Sequence, residues 1–175
     1  LEDTYLRLDR DLAELLTFLD LWLGKANVLV FLTADHAAAD VPSYVMTKNL
    51  PGGYFNDRAA TDSLHAWSMK KYGDTLLANH SNFQLFLDEK KIASKKLDLP
   101  AVEDQFSQWI LKCKGVSESL PAWSLQRSSF MNKPYSLMQA GYMPKRSGNV
   151  LYNLFPGWMD YETTGTTHGS PWSYD

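Results

Sequence analysis

Val28-Leu29-Val30-Phe31-Leu32-Thr33-Ala34-Asp35-His36 is the stretch on which the fold turns. An unbroken apolar run gives way abruptly to a carboxylate beside an imidazole. Such a run, mixing β-branched and aromatic side chains, predicts a buried strand over 27–33. Open α/β sheets carry their chemistry at the carboxyl ends of strands. Asp35 and His36 at such an end offer one oxygen and one nitrogen ligand to a zinc-type ion. A second polar cluster, Gly165-Thr166-Thr167-His168-Gly169-Ser170, lies near the other end of the chain. Metal ligands would then be assembled by the fold. The competing readings are a solvated turn for the first pair and a flexible loop for the second.

Working back from that run, residues 2–23 carry apolar side chains at Tyr5, Leu8, Leu12, Leu15, Leu16, Leu19, Trp22 and Leu23. Spacings of three and four predict an amphipathic helix with Arg7, Arg10, Asp11 and Glu14 on its wet side. Gly24 stops it. Working forward, Pro42 predicts a short helix to about Lys48, and Pro51-Gly52-Gly53 a turn. A helix is expected over 58–72, two strands over 75–79 and 82–88, and a helix from Pro100 to about Lys114. Val102, Phe106, Trp109, Ile110 and Cys113 share one face of the last. From 115 to 170 the pattern is weaker, with a short helix near 134–140 and a strand over 150–154. Helices interleaved with strands predict an α/β sandwich, a central mostly parallel sheet flanked by helices, with 27–33 as its middle strand.

The 175 residues are 45% hydrophobic and 13% aromatic, enough for one domain with a real core, taken as 1–175. A formal charge of −3 argues against a general nucleic-acid binder. No window approaches the roughly 18 apolar residues of a membrane span. The chain starts without Met, inside a helical pattern, and ends as abruptly, so both ends look cut and the missing export signal is uninformative.

The remaining candidates favour structural roles. Cys113 has no partner for a disulfide and no zinc-finger spacing, and reads as a partly buried thiol. His65 falls within a helix and His80 in a turn between strands; both read as structural. Lys145-Arg146 could hold an anion but reads as a solvated loop. Trp158, Tyr161, Trp172 and Tyr174 read as core or interface before pocket lining. No Gly-rich phosphate loop and no nucleophile elbow is present.

Taken together, Glu2-Asp3-Thr4-Tyr5-Leu6-Arg7-Leu8-Asp9, Leu32-Thr33-Ala34-Asp35-His36, Pro144-Lys145-Arg146-Ser147-Gly148-Asn149-Val150 and Gly165-Thr166-Thr167-His168-Gly169-Ser170 resemble the alkaline phosphatase superfamily. The likeness is to the carboxyl-terminal portion of its bacterial periplasmic phosphomonoesterase branch, also labelled type I phosphodiesterase/nucleotide pyrophosphatase. The resemblance implies an incomplete alkaline-phosphatase-like sandwich and hydrolysis of a small phosphate ester, with no nucleic-acid polymer as partner. It implies two zinc ions, with Asp35 and His36 on the one that activates the nucleophile and His168 on its neighbour, plus a periplasmic or secreted location. No catalytic nucleophile is expected within this chain; it and the other ligands would lie upstream. Ala37 departs from the Gly usual in relatives. Two implications follow: the isolated chain binds zinc weakly and is inactive, and surface left bare by the missing half promotes self-association. The alternative is a non-enzymatic accessory module with a vestigial or structural metal site.

Overall fold

The structure, a computed structural model, describes residues 1–160 and 166–172. Its contacts divide the chain into two units, Leu1–Asp35 and His36–Asp175.

The first unit is a helix, α1 (Glu2–Leu23), a single 3-10 turn at Lys25–Asn27, and an extended segment. The apolar spacing produces the helix as expected, and Gly24 ends it at φ 82°, a conformation that favours glycine. Arg7 and Asp3, one turn apart, form an exposed ion pair of 2.8 Å. No residue of α1 is buried. The expected strand over 27–33 does not form: among the described residues, 28–34 join no sheet. The cause is physical. A strand exists through its neighbours' hydrogen bonds, and here Leu29 is 86% and Leu32 99% exposed.

The second unit is α/β, the class read from the sequence. Its elements are α2 (Pro42–Thr47), β1 (Gly53–Phe55), α3 (Asp57–Tyr72), β2 (Leu77–Ser81), β3 (Gln84–Leu87), α4 (Glu89–Ser94), α5 (Leu99–Ile110), β4 (Val116–Pro121), α6 (Ala122–Arg127), α7 (Tyr135–Gly141), β5 (Val150–Leu154) and β6 (Trp158–Asp160). Among the described residues, parallel pairing is confined to β1 and β6, with Gly53 opposite Trp158 and Phe55 opposite Asp160. The larger sheet, ordered β2-β3-β5-β4, is antiparallel throughout.

Local chemistry explains the boundaries. Asn56 Oδ1 accepts from Ala59 N (2.9 Å) to start α3, and Gly73 closes it in the left-handed region. Asp88 and Asp98 cap α4 and α5 in the same way. The β2–β3 hairpin turns through Asn82 and Phe83, at φ 50° and 57°. Positive φ at both central residues is the two-residue turn whose twist suits a hairpin. That turn lies two residues beyond the one expected, so His80 belongs to β2 and not to a loop.

Leu64, Leu76, Leu85, Phe106, Ile110 and Val150 are wholly buried and form one core under the larger sheet, α3 and α5. Cys113 packs against it, half-buried, with its thiol pKa raised by that burial. A thiol so placed is a poor nucleophile.

Candidate metal centre

His36 opens the second unit. Its Nδ1 lies 2.6 Å from the carbonyl oxygen of Ala37. A carbonyl only accepts, so Nδ1 carries the hydrogen and the lone pair of the neutral ring sits on Nε2. Metal-binding histidines are commonly fixed in this manner, one ring nitrogen tied to a backbone carbonyl and the other left basic. Ala37 has no positive φ, so its Cβ meets no left-handed strain.

Two residues further on, the chain is stitched to its own carboxyl-terminal segment. Ala39 N donates to Thr167 O (3.0 Å), and Thr166 Oγ1 donates to Ala39 O. Beyond the stitch, Trp172 Nε1 donates to Leu154 O at 3.0 Å and anchors the segment to the end of β5. Between these two attachments lies His168. Its ring stacks on that of His36, centroids 3.8 Å apart and planes within 19°.

Two candidate ligands distant in sequence are therefore brought face to face. Near-parallel rings hold their in-plane lone pairs in two separate planes, so the two imidazoles do not converge on one point. Asp35 is the last residue of the first unit, exposed and peptide-bonded to His36. No group of three or more His, Cys, Asp or Glu that could hold a metal is found among the described residues. Gly169 takes φ 94°, and a Cβ there would meet nothing within 4 Å. Gly165, Tyr161 and Tyr174 lie outside the described residues.

The other polar residues fall where the structural readings put them, with one exception. Lys145 and Arg146 are exposed in a turn, Lys145 at φ 70°. His65 is half-buried on α3. His80, however, is the hinge of a buried network. Thr61 Oγ1 sits 2.6 Å from its Nδ1, and Tyr152 OH 2.6 Å from its Nε2. Sequence reasoning missed it because its partners lie far apart along the chain.

Two spaces flank the stitched segment. Ala39 faces a small one shared with His168, Gly169, Asn153 and Phe83. Ala38 and Asp40 face a much larger one, about 680 Å³, walled by Val45, Leu50, Phe155 and Trp158 and open to solvent.

No family model matches the chain. Among curated proteins it is 37% identical over 176 residues to alkaline phosphatase PafA of Elizabethkingia meningoseptica, covering 99% of this chain and 32% of that protein. It is 33% identical to alkaline phosphatase PhoV of Synechococcus elongatus, covering all of this chain and 32% of the relative. A Myroides odoratus protein named calcium-transporting ATPase matches at 34% identity over the whole chain and 32% of its own length. Among solved structures, wild-type PafA superposes with a TM-score of 0.84 and 36% identity over 99% of this chain and 33% of its own. The chain is therefore a homologue of the alkaline phosphatases PafA and PhoV along its entire length, and spans about one third of theirs.

Proposed function

We propose that this chain is the metal-binding portion of a zinc-dependent phosphate ester hydrolase acting on small phosphate esters in the periplasm or outside the cell. The observation that carries the proposal is the His36–His168 stack, in a chain that aligns end to end with alkaline phosphatases. Phosphomonoesters are the substrate class the relatives' names favour; diester or nucleotide pyrophosphate hydrolysis is the narrower alternative.

In this reading His36 and Asp35 hold one ion and His168 the other. When bound, the ions supply charge that stabilises the attacking and departing oxygens of an in-line displacement at phosphorus. The chain's own residues supply orientation. Ala37 O fixes the His36 tautomer, and the Ala39–Thr167 stitch sets the distance between the two imidazoles. The nucleophile and remaining ligands belong to the two thirds of the relatives that this chain does not span. On that ground the isolated 175 residues should not hydrolyse esters at a meaningful rate.

The test is a chimera in which this chain replaces the matching third of PafA, assayed on a chromogenic phosphate monoester. Zinc-dependent turnover is expected, falling at least about a hundredfold in His36→Ala and in His168→Ala. That is no less than the loss typical of an outer-shell partner of a metal ligand. A folded chimera without activity, or one indifferent to both substitutions, would overturn the proposal in favour of a non-enzymatic module.

A further inference from the structure

A cavity lined in part by Ala38, two residues after His36, has no task in the metal chemistry. It measures about 680 Å³, within the 300–1,000 Å³ common for small-molecule sites. Its walls come from three places: Ala38 and Asp40 of the stitched segment, Val45 and Leu50 from α2 and the loop after it, and Phe155 from the turn after β5 with Trp158 at the start of β6. All belong to the second unit.

The walls are held in place by close backbone packing. Gly53 N donates to Gly157 O at 3.1 Å. A Cβ on Gly157, which takes φ 76°, would lie 2.6 Å from Pro51 O. Trp158 is gripped in turn: Cβ atoms on Gly115 and Gly53 would come within 2.3 and 2.8 Å of its ring, and Lys114 Nζ lies 5.6 Å from the ring centroid. Only glycines permit this approach, so the indole is fixed before any ligand arrives.

The chemistry of the lining is selective. It is apolar and aromatic, and Asp40 is the one charged side chain among the described residues around it. An anionic group there would be repelled by that exposed carboxylate, by about 1 kcal/mol at roughly 4 Å in water. The position is selective too. Ala38 follows His36 by two residues, no more than about 7 Å along the backbone. Ala39, between Ala38 and Asp40, faces the space beside His168.

We propose that this cavity receives the organic group of the phosphate ester, and that it takes a neutral aryl or apolar group while Asp40 disfavours an anionic one. The inference rests on the hydrolase reading for the ester, but not for the cavity's own binding.

Metal-free protein titrated with 2-naphthol and with 2-naphthoate, followed by NMR, separates the two claims. Saturable binding of 2-naphthol is expected, with shifts concentrated at Val45, Leu50 and the Trp158 indole. The carboxylate should bind at least about fivefold more weakly, the factor corresponding to roughly 1 kcal/mol of charge repulsion. Asp40→Asn, an exposed change that should not disturb folding, should bring the two ligands within about twofold, and Val45→Phe should weaken both by filling the space. Absence of saturable 2-naphthol binding, shifts centred elsewhere, or equal affinities in the unmodified chain would each overturn the proposal. In the PafA chimera, Asp40→Asn should lower KM for a carboxylated aryl phosphate relative to a neutral one with kcat unchanged, and an unchanged KM ratio would also count against it. An inactive chimera leaves the naphthol result standing, and failure of naphthol to bind leaves the metal site standing.

Discussion

The hydroxyl of Thr61 donates to Asp57 O at 2.8 Å, so its single hydrogen is already committed. Nδ1 of His80 must then donate to Thr61 Oγ1, and Nε2 accepts from Tyr152 OH. Tyr152 is 1% exposed, and burial raises its pKa while lowering that of His80. A histidine whose folded pKa is depressed binds fewer protons folded than unfolded below pH 6.5. Stability is therefore full above that pH and falls as pH drops toward the folded value. Urea melts should show stability falling between pH 7 and 5. His80→Gln keeps a donor and an acceptor but gains no proton, and should flatten that slope; an unchanged slope would remove His80 as its cause. Ala37→Gly makes the opposite kind of prediction: zinc affinity of the chimera should change by less than about twofold, since no strain is relieved. His36 and His168, whose rings the fold stacks, stood out in the sequence because imidazole beside apolar or glycine-rich sequence is unusual. The His80 network was not, because its members share no local pattern.

Elements divide along similar lines. α1, α3 and β5 could be read from their periodicity and caps, since each carries its own signal. β1 and β6 could not. Each is three residues long, and β1 hides within the turn signal of Pro51-Gly52-Gly53. β4 and α6 were equally silent, because their polar residues find partners only in the fold. Glu103, 3% exposed on α5, shows how. It accepts from Trp123 N (3.1 Å) at the start of α6 and from Asn149 Nδ2 (3.2 Å) next to β5. Burial raises its pKa, with Asn149 and Trp123 pulling the other way. The folded state thus holds a proton more tightly than the unfolded one above pH 4.5, and this group's contribution weakens as pH rises through that window. Glu103→Ala should cost about 2 kcal/mol in a urea melt near pH 5, because two donors lose an acceptor. A loss under about 0.5 kcal/mol would show that water satisfies both groups equally well.

At the scale of the molecule, the segment that looked like the central strand is the one without a sheet. Phe31 is 80% exposed, and α1 buries nothing while carrying Leu21, Trp22 and Leu23 on its surface. The apolar pattern reported what these residues require, and a sequence cannot show whether the neighbour that satisfies them is present. So many exposed large apolar side chains favour association, so light scattering should find the chain self-associated at micromolar concentration. Leu29→Lys with Leu32→Lys should shift it toward monomer, and a monomeric parent chain would contradict the expectation. No helix among the described residues is long and apolar enough to cross a membrane. The account as a whole depends on the two stacked imidazoles serving two different ions. Zinc content of the purified PafA chimera tests that most directly, measured alongside its His36→Ala and His168→Ala variants. Two ions per molecule falling to one in each variant is the expected result; two ions retained in both would contradict it.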